Sequence, residues 1–531
     1  MTPPRQRLSN AGPRYAALRE SLRERAAPSL GIDPRALGAF RIAVALLLLG
    51  DLLVYRLPAV RTFYTDEGVL PRSTLGEVFP LLETVSIHAI SGSTWVQAGL
   101  LAVGVCAAAC LLVGYRTRLS TGVSLVLLAS LYARNPYVIN GGNTILVVFL
   151  LLSLSLPLDV RWSLGAGRRS GRNDRTDRDG PDRQGDTERE SGVERRVCTL
   201  GTAVTLLTLV SIYAANAVSK FRSDTWMSGD AVPRIFQLEE FIVGVGPLVS
   251  EFAGVLTTVN WLWIALLSAS VLLIVATGRL RVGLALAFVS AHLGMAATMR
   301  LGVFPFVMVA VLLLFFPPRV WDLVEAVRSK LPGSPRPVGA ERTSRSDGGS
   351  ANEIHRGDGG RTTETSSPGA SRGRRVIRAG AALLLVGFFL ALVWWQAAGV
   401  GLVDLPASES GGGLSEVSWS FFAPNPPDAS SWYVVRGTLE SGDSIDLRDG
   451  EAVTYDRPPD AAETYPTTLW HQFGFRMKNA GETRYRSVAA YVCERSDRSL
   501  ASVTVFHVEQ PVDPSGPAGE PKAEARIRAA C

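Results

Sequence analysis

The chain has 531 residues, of which 47% are hydrophobic and 19% are charged, whereas charged residues make up roughly 25% of a typical soluble domain. The apolar residues are concentrated in runs longer than a soluble core requires, which excludes a soluble enzyme, a nucleic-acid-binding protein and a collagen-like fibre. The net charge of +6 is carried by arginine, since only four of the 54 basic residues are lysine. We therefore expect an integral membrane protein.

The first 30 residues contain six arginines and two glutamates, and they lack the apolar core and cleavage site of a signal peptide. We interpret residues 1–30 as a cytoplasmic N-terminal segment. Nine apolar segments able to cross a bilayer follow, although several are short for a span. They are residues 35–57, 94–114, 118–133, 143–158, 197–217, 255–277, 281–299, 302–316 and 376–398.

Short loops that carry arginine stay in the cytoplasm, so their positions predict the orientation of the spans. The loops predicted to be cytoplasmic are residues 115–118, 161–196, 278–281 and 317–375. Those predicted to be outside are residues 58–93, 134–142 and 218–254, the turn at Arg300, and the tail from residue 399. That tail has nineteen acidic residues against twelve basic ones. We expect a multi-pass cell-membrane protein with its N-terminus inside and its C-terminal domain outside.

Composition divides the chain into blocks. Residues 165–196 and 326–375 are too poor in large apolar side chains to offset the entropy of ordering, so we expect disordered cytoplasmic linkers there. They separate a four-span block at 31–164, a second four-span block at 197–325, a ninth helix at 376–398 and an extracytoplasmic domain at 399–531.

The tail alternates apolar and polar residues in the manner of β-strands at 418–422, 431–439 and 486–493, with a turn at 441–443. We expect the residues after about Pro511 to be polar and loose. The predicted fold class is a polytopic α-helical membrane protein of about nine spans with a small β-rich extracytoplasmic C-terminal domain.

The five cysteines show neither a CxxC pair nor the spacing of a zinc site. They are Cys106, Cys110, Cys198, Cys493 and Cys531. Three of them lie in apolar segments, where thiols behave as small hydrophobic side chains. We therefore expect no metal site and no disulfide framework.

Lys220 stands at the outer end of the predicted fifth span, in a protein that otherwise uses arginine for its cations. Arginine keeps its proton in proteins, whereas lysine can lose it when it is desolvated or when another cation, here Arg222, lies nearby. A neutral lysine can act as a general base. The alternative is an anchor whose ammonium reaches the membrane surface.

Few other polar groups lie at membrane depth, where each needs a reason. We interpret Arg41 and Asp51 in the first span as structural. His292, within the seventh span, is either a packing residue or a ligand, and no partner at metal-ligand spacing accompanies it. The loop at 134–143 contains an arginine, three asparagines and a glycine pair, and it either binds a polar head group or forms a turn. His88 by itself gives only weak evidence for a functional site.

Eight short stretches of the sequence carry a family resemblance when they are taken together and in order. They are residues 40–42, 63–71, 86–93, 114–118, 134–143, 157–163, 220–229 and 292–316. In this order and spacing they resemble the horizontally transferred transmembrane (HTTM) family, which is similar to vitamin K-dependent gamma-carboxylase. The resemblance spans about residues 30–320, and the aromatic residues at 419–433 look like the C-terminal domain found on many such proteins.

This resemblance implies a chemistry in which a lysine deprotonates a reduced naphthoquinone of the vitamin K or menaquinone type. Oxygen then yields a strong base that removes a proton from a glutamate side chain, so that carbon dioxide can add. Lys220 matches the catalytic lysine, and His292 matches a later histidine expected to act from beside the site. The residues expected to bind the quinone are Arg134, Asn140, Asn143, Arg222 and Trp226, and no metal is implied.

Two departures restrict what the resemblance implies. The polar loop ends Gly141-Gly142-Asn143, where we expect many family members to carry an acidic residue after the glycines. The tail is also short, and nothing in it identifies a propeptide-binding surface. Carboxylation of protein glutamate therefore does not follow.

The sequence leaves two functions open. The first is a membrane enzyme that activates a lipid quinol at the outer face through Lys220, with oxygen-dependent oxidation and carboxylation of an unknown acceptor. The second is a non-catalytic membrane anchor, or a quinone- or lipid-binding scaffold, that displays the acidic domain to an extracytoplasmic protein or peptide through Trp432 or Phe421. Transport is less favoured, because broken helix pairs and a central ion-pair relay are not evident.

Overall fold

The computed structural model describes residues 11–164, 196–330, 368–403 and 422–531. The chain forms two compact units, Met1–Pro317 with Leu392–Cys531, and Pro318–Ala391. The described residues are mostly helical and end in a β region, as the sequence predicts.

The N-terminal block is mainly helical, both in its spans and in parts of its connecting loops. Its α-helices are α1 (Ala11–Leu30), α2 (Pro34–Gly50), α3 (Val60–Tyr64), α4 (Arg72–Val78), α5 (Pro80–Val85), α6 (Thr94–Val113), α7 (Thr117–Arg134) and α8 (Gly141–Ser153). α2 continues directly into a π-helix, Asp51–Arg56, and 3-10 turns occupy Ile87–Ala89 and Pro136–Val138.

The central block and the segments after it are also mainly helical. They are α9 (Leu200–Phe221), α10 (Asp224–Ser228), α11 (Ala231–Ile235), α12 (Gly246–Ser250), α13 (Ala253–Ser268), α14 (Leu272–Val275), α15 (Gly278–Thr298), α16 (Phe304–Leu312), α17 (Pro318–Ser329) and α18 (Pro368–Gly399). The 3-10 turns here are Glu239–Phe241, Ala269–Val271 and Leu313–Phe315.

Six helices in the described part of the chain are long and apolar enough to cross a membrane. They are Pro34–Arg56, Thr94–Val113, Leu200–Phe221, Ala253–Val275, Gly278–Thr298 and Val376–Gly399. A seventh is counted when Phe304–Phe315 and Pro318–Ser329 are taken as one broken span. These helices indicate a membrane protein. The figure of nine spans stays a prediction, because α8 has only 13 residues and α7 carries several hydroxyl groups and arginines.

Local sequence explains how the first span begins and how it is held. The Asp33 side chain accepts a hydrogen bond from a backbone amide of α2 at 2.8 Å, and Pro34 occupies the first turn, where its fixed φ is favourable. The guanidinium of Arg41 donates to the carbonyls of Leu111 and Leu112, in the last turn of α6, where carbonyls lack regular partners. Arg41 is therefore structural, and its side chain is fully buried inside the protein.

The C-terminal domain is built on a five-stranded antiparallel sheet. Its strands are β1 (Ala429–Leu439), β2 (Ser444–Asp446), β3 (Leu500–Asp513), β4 (Gly516–Pro517) and β5 (Lys522–Ala530). The strand order is β2-β1-β3-β4, and β5 also pairs with β3. Two helices, α19 (Thr468–Met477) and α20 (Glu482–Arg495), accompany the sheet. The strand predicted at 431–439 is confirmed by β1.

Other predictions for the tail need correction. Residues 486–493 belong to α20 and not to a strand, because Tyr485 and Ala489, four residues apart, are buried on one helical face. The residues after Pro511 are not loose, since β5 pairs with β3 along its length. The strand predicted at 418–422 lies almost wholly outside the described residues.

The two predicted linkers also lie largely outside the described residues, which resume at residue 196 and again at residue 368. Both described ends of the second linker are helical. α17 extends to Ser329 and α18 begins at Pro368, so helix occupies part of the predicted linker on each side.

One apolar core joins the loops of the N-terminal block to the C-terminal domain. The Phe63 ring packs edge-on against Trp470, with ring centroids 5.0 Å apart, and lies 5.8 Å from Phe473. Tyr137, in the loop between α7 and α8, packs edge-on against Phe473 at 6.0 Å. The loops predicted to be outside and the C-terminal domain therefore share one buried surface.

We expected no disulfide framework, and one pair of cysteines corrects this expectation. Cys493 in α20 and Cys531 after β5 are bonded, with a sequence separation of 38 residues. The fold brings them together because α20 packs against β5, and no spacing in the sequence reveals this contact. Among the described cysteines, Cys106, Cys110 and Cys198 are free.

Removing this crosslink is expected to destabilise the C-terminal domain, because the crosslink restricts the unfolded chain. For a closed loop of 38 residues, replacing Cys493 and Cys531 together by alanine is expected to lower the free energy of unfolding by about 2–4 kcal/mol. Denaturant unfolding followed by tryptophan fluorescence measures the change. Cys106→Ala, which removes a free thiol, is the control, and equal stability of the two variants would contradict the expectation.

Candidate functional site

Lys220 lies near the C-terminal end of α9, and only 2% of its surface is exposed. The helix starts at a capping box in which Thr199 and Thr202 each accept a hydrogen bond from the other's backbone amide. At the other end, Nζ of Lys220 lies 4.0 Å from the centroid of the Trp226 ring. An ammonium is attracted to the face of an indole at this distance. The amine therefore lies inside the protein and not in open water.

The Trp226 indole is held over Lys220 from several directions. Ser223 caps α10 by accepting a hydrogen bond from the Trp226 backbone amide, and Asn260 of α13 donates to the Trp226 carbonyl at 3.0 Å. The indole Nε1 donates to the carbonyl of Phe422 at 2.9 Å. Since Phe422 is close to the start of the C-terminal sheet, the tail supplies one of the contacts that keep Lys220 covered.

His292 on α15 forms a hydrogen-bonded pair with Tyr213, with 2.9 Å between Nε2 and the hydroxyl oxygen. Tyr213 precedes Lys220 by seven residues, nearly two helical turns, so both side chains project from the same face of α9. The rings of Trp263 and Phe304 pack edge-on against the imidazole, with centroid distances of 5.7 and 5.5 Å. The structure thus brings His292 to the helix face that carries Lys220.

Asn140 and Asn143 form the capping box that starts α8. The Asn140 side-chain amide also donates to the Leu301 carbonyl at 3.0 Å, and that of Asn143 donates to the Tyr132 hydroxyl at 2.9 Å. Both amides therefore have structural partners, which is what the interpretation of this loop as a turn predicts.

A glycine next to these amides connects them with His292. A Cβ on Gly142 would lie 2.5 Å from the Phe304 Cα, closer than any side chain permits, so the start of α8 can approach α16 only with glycine there. The Phe304 ring packs against His292. The predicted polar loop and the His292–Tyr213 pair are thereby in one continuous set of contacts.

The two predicted quinone-binding arginines hold backbone segments. Arg134 is fully buried and donates to the carbonyls of Leu70 and Thr65, at 2.8 and 3.2 Å. Arg222 is exposed and donates to the carbonyl of Val400. Arg134 Nη2 also lies 3.7 Å from the Asp66 carboxylate. These contacts are structural, so a role in ligand binding stays a prediction for both arginines.

A buried polar network that the sequence did not predict begins at the π-helix. Arg56 Nε donates to both carboxylate oxygens of Asp51 at 3.2 Å, and its Nη1 donates to the Tyr64 hydroxyl and the Val138 carbonyl. A π-helix bonds residue i to residue i+5 and so brings these side chains together, whereas in an α-helix they would diverge by about 140°. The five-residue spacing of two opposite charges is the signal that could have indicated this pair.

The sequence also did not predict a second buried polar network. It forms at the turn Glu239–Phe241, which packs against the C-terminal domain. Glu240 is 4% exposed, and its carboxylate accepts hydrogen bonds from the Ser430 hydroxyl at 2.6 Å and the Ser431 amide at 3.2 Å. The Phe241 ring packs edge-on against the His471 imidazole, with 4.6 Å between centroids. A short segment between two predicted spans is therefore an anchor for the tail.

Burial changes the protonation of both titratable groups at this anchor. It raises the pKa of Glu240 to about 7, although the hydrogen bonds from Ser430 and Ser431 and the charge of Arg457 lower it. It lowers the pKa of His471 to about 3, with a smaller contribution in the same direction from Arg300. His471 is therefore a neutral imidazole at physiological pH, and the pKa of Glu240 lies close to physiological pH.

Among residues 11–164, 196–330, 368–403 and 422–531, no group of three or more His, Cys, Asp or Glu side chains could hold a metal ion. Comparison with family models, with curated proteins and with solved structures finds no match. The resemblance to the HTTM family, and the roles that it implies for Lys220 and His292, therefore stay predictions.

The Glu240 anchor is expected to make stability depend on pH. Its pKa in the folded protein lies above the ordinary value of 4.5, so the folded state binds this proton more tightly than the unfolded state. The resulting stabilisation is complete below about pH 4.5 and is lost as the pH rises through about 7. Glu240→Gln imitates the neutral group and is expected to remove this part of the pH dependence.

Melting temperatures of the purified protein and of Glu240→Gln, measured between about pH 5 and pH 8, test this. Glu239→Gln is the matched control, because Glu239 is 44% exposed and pairs with Arg457 at the surface of the same turn. Parallel profiles for the wild type and Glu240→Gln would show that the carboxyl does not titrate as expected.

Proposed function

We propose that the protein is an integral membrane enzyme that binds a lipid quinol and deprotonates it through Lys220, ahead of oxygen-dependent oxidation and carboxylation of an acceptor. The observation that carries the proposal is the buried amine of Lys220, 4.0 Å from the Trp226 ring and on the helix face that carries Tyr213. Only a neutral amine can accept a proton, and removal from water is the general means by which proteins obtain a neutral lysine.

The residues around His292 fit an aromatic ligand that has hydroxyl or carbonyl groups. Nδ1 of His292 is buried, and no residue in the described part of the chain gives it a hydrogen bond. A buried nitrogen left this way costs about 1–3 kcal/mol, so a ligand oxygen there would be stabilising. A reduced naphthoquinone has a flat apolar ring and two oxygens, which suit His292, Trp263 and Phe304. When bound, it would supply the electrons that reduce oxygen.

In the proposed step, Lys220 takes the proton of a quinol hydroxyl. The O–H bond breaks, an N–H bond forms at Nζ, and the electron pair stays on the quinol oxygen. The Trp226 ring then stabilises the ammonium through a cation–π interaction. Dioxygen is the oxidant of the later step. Because Trp226 covers Nζ, the approach of a ligand requires this side chain to shift.

We also propose nine spans, with the C-terminal domain outside the cell. The short helices α7, α8 and α16 would complete the six candidate spans. Contacts between the predicted outer loops and the domain support a common side, among them the 2.7 Å bond between the hydroxyls of Thr74 and Ser487. The bond between Cys493 and Cys531 supports an oxidising compartment, since disulfides persist outside the cytosol.

The alternative is a non-catalytic anchor, or a quinone- or lipid-binding scaffold, and the covering of Lys220 by Trp226 is the observation that favours it. Trp432 cannot serve this alternative as a partner-binding side chain. That side chain is 1% exposed and packs with Val434 and Val508 inside the domain, so its replacement would act through folding. Phe421 lies outside the described residues.

Lys220→Arg keeps the positive charge but removes a group able to give up its proton. We expect quinol oxidation by the purified protein to fall by about 100-fold or more, the usual contribution of a general base. Oxygen consumption with a short-chain menaquinol measures the rate. Lys330→Arg, the same exchange at an exposed lysine, is the control. An unchanged rate in Lys220→Arg would exclude the base role.

Mass spectrometry of co-purified lipids separates the enzyme from the scaffold. We expect a naphthoquinone to accompany the wild-type protein and to be depleted in Lys220→Ala. Quinone retained by both proteins, without turnover by either, would favour the scaffold.

A further inference from the structure

A small chamber lies where the C-terminal domain meets the first span. Its polar walls come from four parts of the chain: the π-helix with Asp51 and Arg56, the start of α8 with Asn143, and α19 with Thr468 and Gln472, together with the loop at residue 302. The enclosed volume is about 10 Å³, which is room for one hydroxyl group or one water molecule. Lys220 is not among the lining residues.

One residue that lines the chamber has a buried hydrogen-bond acceptor without a donor in the described part of the chain. Gln472 is 7% exposed, and its Oε1 has no hydrogen-bond partner among the described residues. Leaving such an acceptor buried costs about 1–3 kcal/mol. The Asp51 carboxylate, 3% exposed, has lone pairs beyond the two that Arg56 Nε contacts. An occupant that donates a hydrogen bond therefore matches these walls.

The backbone at Gly302 keeps room for this amide. A Cβ there would lie 2.8 Å from Gln472 Nε2 and 3.3 Å from Asn140 Nδ2, and the φ of +61° is one that side-chain-bearing residues rarely adopt. The absence of a side chain at residue 302 thus allows the amides of Gln472, which lines the chamber, and of Asn140, which does not, to lie close to this backbone.

One wall of the chamber belongs to a helix segment whose exposed side chains would face lipid. Tyr55, which lines it, is 39% exposed, and its neighbours Leu53 and Val54 are 44% and 65% exposed. All three belong to the candidate span Pro34–Arg56. A molecule that arrives from this side is dissolved in hydrocarbon, and it must bring its own hydrogen-bond donor.

We propose that this chamber binds the hydroxyl head of a membrane-soluble phenol or alcohol. The hydroxyl donates to Gln472 Oε1, its oxygen accepts from the Thr468 hydroxyl, and the hydrocarbon part leaves past Tyr55 towards lipid. This site is separate from the base role of Lys220, so either assignment can fail without the other.

Photoaffinity labelling tests the proposal. The probe is 4-butylphenol with a diazirine in its alkyl chain, and the matched probe is the butylbenzene that lacks the hydroxyl. We expect the phenol to label saturably a peptide containing residues 51–56 or 468–472, and the benzene probe not to do so. Gln472→Leu, which keeps most of the side-chain volume, is expected to weaken labelling by about tenfold, the usual effect of one hydrogen bond.

Gln396→Leu is the matched control. Gln396 is also buried, and its Oε1 likewise has no partner among the described residues, but it does not line the chamber. Labelling of this variant is expected to equal that of the wild type. If Gln472→Leu fails to fold, Thr468→Val removes the other hydrogen-bonding group at the start of α19 and should weaken labelling similarly.

Three outcomes would overturn the proposal. They are equal labelling by the two probes, wild-type labelling in the folded Gln472→Leu or Thr468→Val protein, and no saturable labelling of the wild type. The last result would leave a single trapped water as the occupant.

Discussion

The packing of Phe63 and Tyr137 against Phe473 joins the loops of the N-terminal block to the C-terminal domain. Aromatic side chains bury 150–250 Å² each, at roughly 25 cal/mol per Å² of apolar surface, so a few such contacts hold the tail firmly on the helices. This packing fixes α19 beside the π-helix, and it brings the segment around Phe422 within reach of Trp226. Both candidate sites therefore depend on it.

In the low-dielectric interior of the protein, a buried polar group is stable only where it has a partner. Arg41 and Arg134 are stabilised by backbone carbonyls of neighbouring segments, and Arg56 by the carboxylate that the π-helix presents. Most buried polar groups in proteins are satisfied in this way. His292 Nδ1 and Gln472 Oε1 are exceptions among the described residues, and they are the atoms to which we assign ligand contacts in the two proposals.

The sequence predicted the features that depend on local patterns. Long apolar runs indicated a membrane protein, and alternation indicated β1. The same alternation misled at 486–493, because over eight residues it does not distinguish a strand from a helix that buries Tyr485 and Ala489. The disulfide and the Glu240 anchor could not be predicted, since both depend on contacts between segments distant in the chain.

For the candidate site, the composition singled out Lys220, because a lysine is rare in this chain. Nothing local indicated that Trp226 would cover its amine, since that depends on Asn260 and Phe422 from other segments. In the same way, the five-residue spacing of Asp51 and Arg56 predicts a pair only if the helix widens there, and that widening is a property of the packed structure.

The covering of Lys220 is compatible with catalysis on energetic grounds. Moving the Trp226 indole aside breaks one hydrogen bond to Phe422, worth about 0.5–1.5 kcal/mol. When Lys220 is protonated, it also breaks the cation–π contact, worth about 0.5–2 kcal/mol. For a protonated amine the two contacts total about 1–3.5 kcal/mol, which leaves roughly 0.3–15% of molecules open and lowers apparent ligand affinity to that fraction. Phe422 also packs against Phe241, and the neighbouring Glu240 binds the sheet. Opening of the site and docking of the tail therefore involve the same contacts. In the proposed enzyme, the tail therefore takes part in closing the site.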